Sequence, residues 1–360
     1  MCGITGWIDT NGGVSPEAVR AAMERMRHRG PNDEGCFVDP SGTAALGHRR
    51  LSIIDIEGGR QPLTSKDGRY HLVFNGEVYN FRDLRRALET RGHTFATQTD
   101  TEVVLHLFED HGIAACLFLV GMFAFALWDA RERTLWFARD RLGKKPFLYG
   151  PREGRFFFAS EFAALLEYAG VPRDVDPDAL DAYLAYQYIP PPLSIWKAVR
   201  KLPPATWGFF REGEMRTSRY WTPECGLEPA PRRAAGEAEV FRRLADAVRQ
   251  RLVSDVPLGV FLSGGADSSI VTGLMSLAGT KPLRTFSIGF EEEAFSELPH
   301  ARRVAEHFGT EHHEETVRPD AAEVLPALVR HYGEPFADSS AIPTWYLSRF
   351  TGAHVRVALA

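Results

Sequence analysis

The chain has 360 residues, of which 44% are hydrophobic and 25% charged, and its formal net charge is −5. This composition is typical of a soluble globular protein with two or more domains, and the interspersed charges exclude a nucleic-acid-binding surface and a polybasic membrane anchor. Four scattered cysteines indicate neither a disulfide framework nor a zinc site built from cysteines, so we expect a reduced, cytoplasmic protein.

The first 200 residues predict strands interspersed with helices. Ser15 and Pro16 begin a helix that we expect to end at Gly30, because serine caps helices and proline fits their first position. The other predicted helices, each followed by a glycine, are Phe81–Arg91 and Thr101–Asp110. The apolar runs that predict strands are Tyr70–Phe74, Met122–Trp128, Thr134–Ala138 and Phe156–Ala159. This mixture indicates an α+β domain.

One uncharged segment, Gly112–Trp128, has to be weighed as a membrane span. A spanning helix needs about 20 apolar residues. This segment is shorter and is interrupted by Gly112 and Gly121, so its second half is predicted as a buried strand. No signal peptide is expected, because no basic region follows Met1.

Beyond a proline-rich stretch, the pattern changes to alternating helices and strands. We place the domain boundary near residue 210, which gives domains 2–210 and 211–360. The predicted helices of the second domain are Glu237–Leu252, Ser268–Leu277, Glu297–Phe308, Ala321–Tyr332 and Ala341–Phe350. Its predicted strands are Leu258–Leu262, Leu283–Ile288, His313–Val317 and His354–Ala360. This alternation indicates a doubly wound parallel sheet of α/β type.

Cys2 is the first candidate for chemistry. Removal of Met1 would leave it with a free α-amine of pKa roughly 7.7–8.0, which suits a base beside a thiol of pKa about 8.5. A thiolate that attacks an amide needs donors for the oxyanion, and Asn75 and Gly76 at the end of an apolar strand offer them. The groups suited to hold an amino-acid substrate are Arg50 for a carboxylate, and Glu77 and Asp100 for an ammonium group.

Each of these residues also has an ordinary structural explanation. A cysteine at the second position can be accidental, and an Asn-Gly pair after a strand is commonly a turn. Arg50 fits a surface ion pair, and Asp100 fits the N-cap of the helix predicted to begin near Thr101.

Several sequence segments taken together resemble the glutaminase domain of class II amidotransferases. In chain order they are MCGITGW, RHRGPNDEG, GHRRLSIID, FNGEVYN, TQTDTEVV, GMFAFALWD and ARDRLGKKPFLYG, within residues 2–205. The resemblance implies an N-terminal-nucleophile hydrolase fold, with two stacked β-sheets between helical layers. It implies that Cys2 attacks the side-chain amide of glutamine with its own amine as base. The other implied roles are Asn75 and Gly76 at the oxyanion, Arg50 at the α-carboxylate, and Glu77 and Asp100 at the ammonium group.

A second candidate site lies in a glycine-rich turn between a predicted strand and helix. Backbone N–H groups at such a helix N-terminus can bind phosphates, and Asp267 can carry Mg²⁺, although tight packing alone also explains such glycines. The turn resembles the pyrophosphate loop of ATP-pyrophosphatases. The positions that this resemblance assigns to ATP and pyrophosphate are Leu262, Ser263, Gly264, Gly265, Asp267, Ser268 and Ser269, with Ile288 at the adenine. His312 and His313 are interpreted as structural, because neighbouring strand residues point to opposite faces.

A glutaminase followed by this loop resembles the glutamine-dependent asparagine synthetases. The resemblance implies that aspartate and Mg-ATP form β-aspartyl-AMP, which ammonia from glutamine then converts to asparagine, in a homodimer. The family continues beyond Ala360 into a further loop that contacts ATP, so the chain is expected to be C-terminally truncated. Three alternatives stay open: amidation of another small carboxylic acid, a glutaminase alone, and an inactive truncated product.

Overall fold

A computed structural model describes residues 1–223 and 236–360. Its chain divides into two compact units, of which the first comprises Met1–Pro223 and Val329–Ala337, and the second comprises the remainder. The domain division near residue 210 stays a prediction, and the hairpin of residues 206–219, which spans that position, groups with the first unit. Cys225 and the prolines at 229 and 231 lie outside the described residues. Within the described ranges, no helix is both long and apolar enough to cross a bilayer.

The first unit contains two six-stranded antiparallel sheets. The first sheet consists, in spatial order, of β10 (Arg200–Lys201), β8 (Leu148–Arg152), β9 (Arg155–Ala159), β1 (Gly3–Asp9), β3 (Ala44–Arg50) and β2 (Asp33–Val38). The second consists of β12 (Glu214–Arg219), β11 (Thr206–Arg211), β7 (Thr134–Arg139), β6 (Gly121–Asp129), β5 (Tyr70–Val78) and β4 (Leu63–Thr64). The four strands predicted in this half are confirmed, and β5 continues through Asn75 and Gly76 to Val78.

The two sheets stack through one aromatic and aliphatic core. Ile4 and Phe158 of the first sheet share a fully buried cluster with Val73 and Phe137 of the second. Helices cover the outer faces: Val19 and Met23 of the first helix pack on the side of the first sheet that carries Trp7. The helices of this unit are α1 (Pro16–Arg25), α2 (Phe81–Thr90), α3 (Asp100–His111), α4 (Phe162–Leu165) and α5 (Pro177–Tyr186). The predicted arrangement of stacked sheets between helical layers is confirmed.

The first helix is shorter than predicted. Ser15 caps it by accepting a hydrogen bond from the Ala18 N–H, as expected, but α1 ends at Arg25 rather than at Gly30. Gly30 instead lies against the backbone of β3, where an added Cβ would come within 2.3 Å of the Arg49 carbonyl carbon. The chain therefore turns away from the helix axis to reach β3, and Gly30 is required by close approach rather than by helix termination.

The second unit contains a parallel sheet, as predicted. Its strands, in spatial order, are β15 (Glu311–Val317), β14 (Arg284–Phe290), β13 (Leu258–Phe261) and β16 (Val357–Leu359). The helices that alternate with them are α6 (Glu237–Gln250), α7 (Ala266–Leu277), α8 (Leu298–Phe308), α9 (Ala321–Tyr332) and α10 (Ala341–Gly352). Val260 packs with α6 and α7, whereas Phe286, which points to the other face, contacts Phe350 of α10. Helices therefore lie on both faces, which is the doubly wound arrangement.

We predict that Gln187→Gly stabilises the first unit. Gln187 caps the C-terminus of α5 with φ 65°, is exposed, and keeps a left-handed conformation that L side chains disfavour by roughly 1–2 kcal/mol. Glycine removes that strain at some cost in chain entropy, so the free energy of unfolding is expected to rise by about 0.5–1 kcal/mol. Urea titration checks this, with Ala185→Gly, inside the same helix, as the matched control expected to lower stability. A loss of stability in both variants would contradict the prediction.

Candidate active site

Cys2 lies at the entrance to β1, next to the end of β3. Gly3 pairs with Arg49, and the Leu51 N–H points to Cys2 Sγ at 3.4 Å. The Arg29 Nε donates to the Cys2 carbonyl at 2.9 Å, which fixes the backbone of the residue. Burial raises the pKa of the Cys2 thiol, against the Leu51 N–H and nearby positive charges that lower it. A thiol held in this way needs a base to become a nucleophile.

An amine at this terminus is suited to be that base. Desolvation lowers the pKa of the Met1 amino group to about 6, with Arg29 and Lys145 acting in the same direction and Cys2 and Glu77 opposing. The Met1 amino group, one residue before Cys2, is therefore largely neutral at pH 7 and can accept a proton.

Asn75 has a buried and unsatisfied side-chain amide. It lies in β5 opposite Ala124, is only 1% exposed, and neither its Oδ1 nor its Nδ2 has a hydrogen-bond partner among the residues that the structure describes. A buried amide without partners costs about 1–3 kcal/mol, so such a group is expected where a ligand completes it. The neighbouring glycine is equally constrained, because a Cβ on Gly76 would lie 2.3 Å from the Met122 carbonyl oxygen. Asn75 and Gly76 therefore lie within a paired strand, and the alternative that they form a turn does not apply.

A hydrogen bond between the two sheets brings Asn75 to the side of the first sheet on which Cys2 lies. His48 of β3 contacts the carbonyl of Phe74, next to Asn75, through Nε2 at 3.1 Å. His48 is two residues before Arg50, and Arg49 pairs with Gly3. The start of β1, the end of β3 and the middle of β5 therefore meet at one edge of the stacked sheets.

The Arg50 guanidinium is buried and fixed by the loop that follows β3. It donates to the carbonyls of Ile54, Asp55 and Ile56, with a distance of 2.9 Å from Nη1 to the Ile56 oxygen. Gly59 permits this approach, because a Cβ there would lie 2.2 Å from Nη2 of Arg50. The alternative of an exposed surface ion pair does not apply, since the side chain is 5% exposed.

Asp100 is a buried carboxyl group beside a second carboxylate. The N-cap of α3 is Thr99, whose hydroxyl accepts from the Glu102 N–H, so the N-cap interpretation of Asp100 is wrong. Asp100 accepts a hydrogen bond from the Val78 N–H at 2.8 Å, directly after Glu77 in β5. Burial first, and then the charge of Glu77, raise the pKa of Asp100 to about 7. A cation bound between these two acidic groups would reduce the repulsion between them and stabilise their ionised forms.

This shift predicts how stability depends on pH. Folded Asp100 keeps its proton up to about pH 7, whereas in the unfolded chain the same carboxyl has its ordinary pKa of 3.8. The folded state binds more protons between these values, so this contribution to stability is complete below pH 3.8 and is lost as the pH rises through 7. We expect Asp100→Asn to be more stable than the parent at about pH 8, and equal to it near pH 4. Thermal unfolding at both pH values checks this; an equal effect at the two would contradict the pKa.

Three residues of this neighbourhood were not singled out from the sequence. Lys145 is buried, and its charge acts on Cys2 and Glu77, while burial lowers its own pKa. Asp140 orders the segment that leads from it to Lys145, by accepting backbone hydrogen bonds from Lys144 and Lys145 at 3.0 Å each. Arg29 binds Glu161 at 2.8 Å as well as Cys2. In the sequence, the only indication of a functional role for these residues was that they lie in the segments RHRGPNDEG and ARDRLGKKPFLYG.

The glycine-rich turn of the second unit joins β13 to α7, as predicted. Gly264 has φ 82°, and a Cβ on it would lie 2.5 Å from the His300 carbonyl carbon, so glycine is required twice over. The hydroxyls of Ser263 and Ser268 lie 3.0 Å apart, and the loop from 263 to 267 is largely exposed. The first turn of α7 thus directs backbone N–H groups toward an open edge of the sheet.

Ile288 lies toward the edge of the sheet where this loop opens, whereas His312 and His313 pack among structural residues. Ile288 lies two residues beyond Phe286, which pairs with Phe261, so it lies toward the carboxyl edge on which the loop opens. His312 contacts the Thr285 hydroxyl at 2.9 Å, whereas His313 stacks on Phe286. These two histidines point to opposite faces, in line with a structural role.

Sequence comparisons assign a family to both units. The glutamine amidotransferase domain family matches residues 1–221, and the asparagine synthase family matches residues 239–360. Glutamine-hydrolyzing asparagine synthetase 1 of Bacillus subtilis is 35% identical over 367 residues, which cover 100% of this chain and 57% of that protein. Glutamine-hydrolyzing asparagine synthetase 3 of the same organism is 38% identical over 336 residues, covering 87% and 54%. The chain thus spans a little over half of these relatives.

A plant relative and a solved structure complete the comparison. Glutamine-hydrolyzing asparagine synthetase 3 of Arabidopsis thaliana is 33% identical over 87% of this chain and 50% of its own length. The solved glutamine phosphoribosylpyrophosphate amidotransferase of B. subtilis aligns at 14% identity and a TM-score of 0.48, over 100% of this chain and 91% of its own. From the two family matches and the curated relatives we conclude that the chain belongs to the family of glutamine-hydrolysing asparagine synthetases.

Proposed function

We propose that this protein hydrolyses glutamine at Cys2 and uses the ammonia for ATP-dependent conversion of aspartate to asparagine. The observation that carries the first half is the buried amide of Asn75, which lies beside the edge where Cys2 is held and has no hydrogen-bond partner in the described part of the chain. The second half rests on family membership and on the exposed loop between β13 and α7.

In the proposed hydrolysis, removal of Met1 leaves Cys2 with a free α-amine. The amine takes the thiol proton, and Sγ attacks the side-chain carbonyl carbon of glutamine. The carbonyl oxygen becomes an oxyanion that accepts hydrogen bonds from Asn75 Nδ2 and the Gly76 N–H. The carbon–nitrogen bond then breaks, and ammonia leaves with the proton from the amine. Water attacks the resulting thioester, releasing glutamate and restoring the thiol.

The glutamine itself is proposed to be held through its α-amino-acid group. The loop carbonyls that bind the Arg50 guanidinium keep it in place, and its remaining N–H groups can bind the α-carboxylate. Glu77 and Asp100 are proposed to bind the ammonium group, which would favour the ionised form of Asp100 that burial opposes. This charge pairing selects an amino acid over a simple amide.

In the second unit, the loop is proposed to bind the phosphates of ATP. The N–H groups of Gly264 and the first turn of α7 would face the anion, with the Ser263 and Ser268 hydroxyls as further donors. The Gly265 N–H orders the loop by donating to Ser263 Oγ at 3.2 Å. Leu262, Asp267, Ser269 and Ile288 are proposed to line the same nucleotide site: Leu262 follows β13, Asp267 and Ser269 lie in the first turn of α7, and Ile288 lies in β14. The exposed carboxylate of Asp267 fits the oxygen ligands that Mg²⁺ prefers, and Mg²⁺ bound there would offset phosphate charge.

A product analysis tests the proposal. The chain is incubated with glutamine, aspartate and Mg-ATP, and glutamate, asparagine, AMP and pyrophosphate are measured. We expect glutamate formation, and asparagine, AMP and pyrophosphate in equal amounts, with ammonia able to replace glutamine. Glutamate without AMP would overturn the amidation half and leave a glutaminase. AMP formed with another carboxylic acid, but not with aspartate, would overturn the acceptor.

The proposal also covers the cellular compartment and the oligomeric state. Cys2, Cys36 and Cys116 are free thiols in the described residues, which supports a reduced compartment such as the cytoplasm. A homodimer is proposed by analogy with the family, and light scattering tests it.

A further inference from the structure

A cluster of histidines and acids lies at the opposite end of α3 from Asp100. His106 and Glu109 are one turn apart on the helix, and His93 belongs to the connection between α2 and α3. The distance from His93 Nδ1 to His106 Nδ1 is 3.1 Å, and that from His106 Nδ1 to Glu109 Oε2 is 2.6 Å. The distance between the remaining pair of atoms, His93 Nδ1 and Glu109 Oε2, is 3.7 Å. None of these atoms has a role in the proposed reaction.

The outer nitrogen of each imidazole faces a carboxylate. His93 Nε2 lies 2.8 Å from Asp110 Oδ1, and His106 Nε2 is buried 3.7 Å from Glu102 Oε1. Glu102 is held as an anion, because it accepts hydrogen bonds from the Ala96 and Thr97 N–H groups at 2.7 Å each. A carboxylate only accepts hydrogen bonds, so His93 Nε2 carries a proton, whereas His106 Nε2, at 3.7 Å, has no hydrogen-bond partner among the described residues.

His93 Nδ1 is therefore a lone-pair donor, and His106 Nδ1 becomes one when the His106 proton lies on Nε2. In that tautomer, two Nδ1 atoms and the Glu109 oxygen present three lone pairs within 3.7 Å of one another. Three lone pairs at these separations repel one another unless a cation lies between them. A proton on His106 or a metal ion satisfies that requirement.

We propose that His93 Nδ1, His106 Nδ1 and the Glu109 carboxylate bind a divalent transition metal, with Zn²⁺ as the ion that their chemistry favours. Two imidazoles and a carboxylate are a common zinc ligand set, with a water as the fourth ligand. Bonds of about 2.0–2.1 Å in a tetrahedron separate ligand atoms by about 3.3–3.4 Å. Of the three distances between ligand atoms, 3.1 and 2.6 Å are shorter than that separation and 3.7 Å is longer.

The surrounding residues have the form of a second shell. Metal-bound histidines usually donate their other N–H to a carboxylate, which fixes the tautomer and strengthens the ligand. Asp110 does this for His93, whereas the Glu102 carboxylate lies 3.7 Å from His106 Nε2, beyond hydrogen-bond distance. A bound ion would tie the α2–α3 connection to the helix that begins at Asp100, and so stiffen it.

A second cluster, of His28, Glu161 and His331, also brings three ligand atoms within 4.8 Å of one another but is less suited to a metal. Its carboxylate oxygen, Glu161 Oε1, already binds the Arg29 guanidinium at 2.8 Å. That guanidinium would repel a metal ion.

The competing occupant of the first cluster is a proton. Burial opposes a charge on His106, but Glu102 and Glu109 outweigh it and raise the pKa of His106 to about 9. Zinc must therefore displace that proton, and a cluster that keeps its proton in excess zinc is the alternative outcome.

Metal titration of the full chain decides between them. Cys2→Ala serves as the parent, so that the catalytic thiol does not bind metal. Zn²⁺ affinity is measured by competition with a chromogenic chelator, and Co²⁺ binding by its visible spectrum. We expect one tight site, with tetrahedral cobalt bands and no sulfur-to-cobalt charge transfer. We also expect zinc to raise the melting temperature of this parent.

Variants locate the site. His93→Gln and Glu109→Gln, at partly exposed positions, are expected to lose this site and the thermal shift. Asp110→Asn is expected to weaken zinc about 10–100-fold, as outer-shell losses do. His111→Gln, at the end of the same helix, is the control expected to bind as the parent does. Circular dichroism establishes that each variant is folded. No zinc binding by the folded parent, or equal affinity in the parent and both ligand variants, would overturn the proposal.

Discussion

Replacement of Cys2 by alanine is expected to abolish glutamine hydrolysis, with a loss of about 10⁴–10⁶-fold in kcat, as for the removal of other catalytic nucleophiles. The reason is that the proposed thioester cannot form without Sγ, and the amine alone is a base with no nucleophile to activate. The rate of glutamate formation measures this loss. Any ammonia-dependent asparagine synthesis is expected to persist, because it bypasses the thiol.

The matched control is Cys36→Ala. Cys36 is a partly buried thiol in β2 whose pKa is raised by burial, and it lies outside the proposed mechanism. We expect its glutamine hydrolysis to stay near that of the parent. If Cys2→Ala still hydrolyses glutamine, the assignment of Cys2 as the nucleophile is wrong. Equal losses of hydrolysis in both variants would instead indicate a general effect on folding.

Replacement of Asn75 by alanine is expected to lower kcat for glutamine hydrolysis by about 10²–10³-fold, the usual effect of losing one oxyanion donor. The same change removes a buried amide that has no hydrogen-bond partner within residues 1–223 and 236–360. The relief of an unsatisfied polar group offsets the cavity left behind, so the free energy of unfolding is expected to stay within about 1 kcal/mol of the parent or to rise. Activity and stability are therefore expected to separate at this residue.

Gln61→Ala provides the contrast for stability. Gln61 is also a buried amide, but its Oε1 accepts a hydrogen bond from the Phe74 N–H at 2.7 Å, one residue before Asn75. Its removal leaves that N–H unpaired and is expected to cost about 1–3 kcal/mol. Urea unfolding of both variants is compared with steady-state kinetics of Asn75→Ala. If Asn75→Ala destabilises as much as Gln61→Ala while hydrolysis is retained, the amide has a structural role.

The local pattern of the sequence predicted the elements that carry the site. The apolar run after Tyr70 specified β5, and the spacing after Asp100 specified α3 to within a residue at each end. The alternation after Gly236 predicted the parallel sheet because buried parallel strands are continuously apolar. These features depend on neighbouring residues, which a single sequence displays.

The features that escaped prediction depend on contacts distant in sequence. Nothing near Arg29 shows that its Nε reaches the carbonyl of Cys2, or that α1 must end early to permit it. The burial of Lys145 follows from the stacking of the sheets. The carbonyl partners of Arg50 come from a loop whose path is set by Gly59. Likewise, the pKa of Asp100 depends on burial and on Glu77, which only the folded chain brings together.

Cys2, freed from Met1, is proposed to form a covalent bond to glutamine, and the rest of the glutaminase mechanism depends on that bond. Rapid acid quenching of the chain after mixing with glutamine, followed by mass spectrometry of its N-terminal peptide, tests this directly. We expect a peptide that begins at Cys2 and carries a γ-glutamyl group on Sγ, which disappears when glutamine is exhausted. Full hydrolytic activity in a chain that retains Met1, or a glutamyl group on any other residue, would contradict this mechanism.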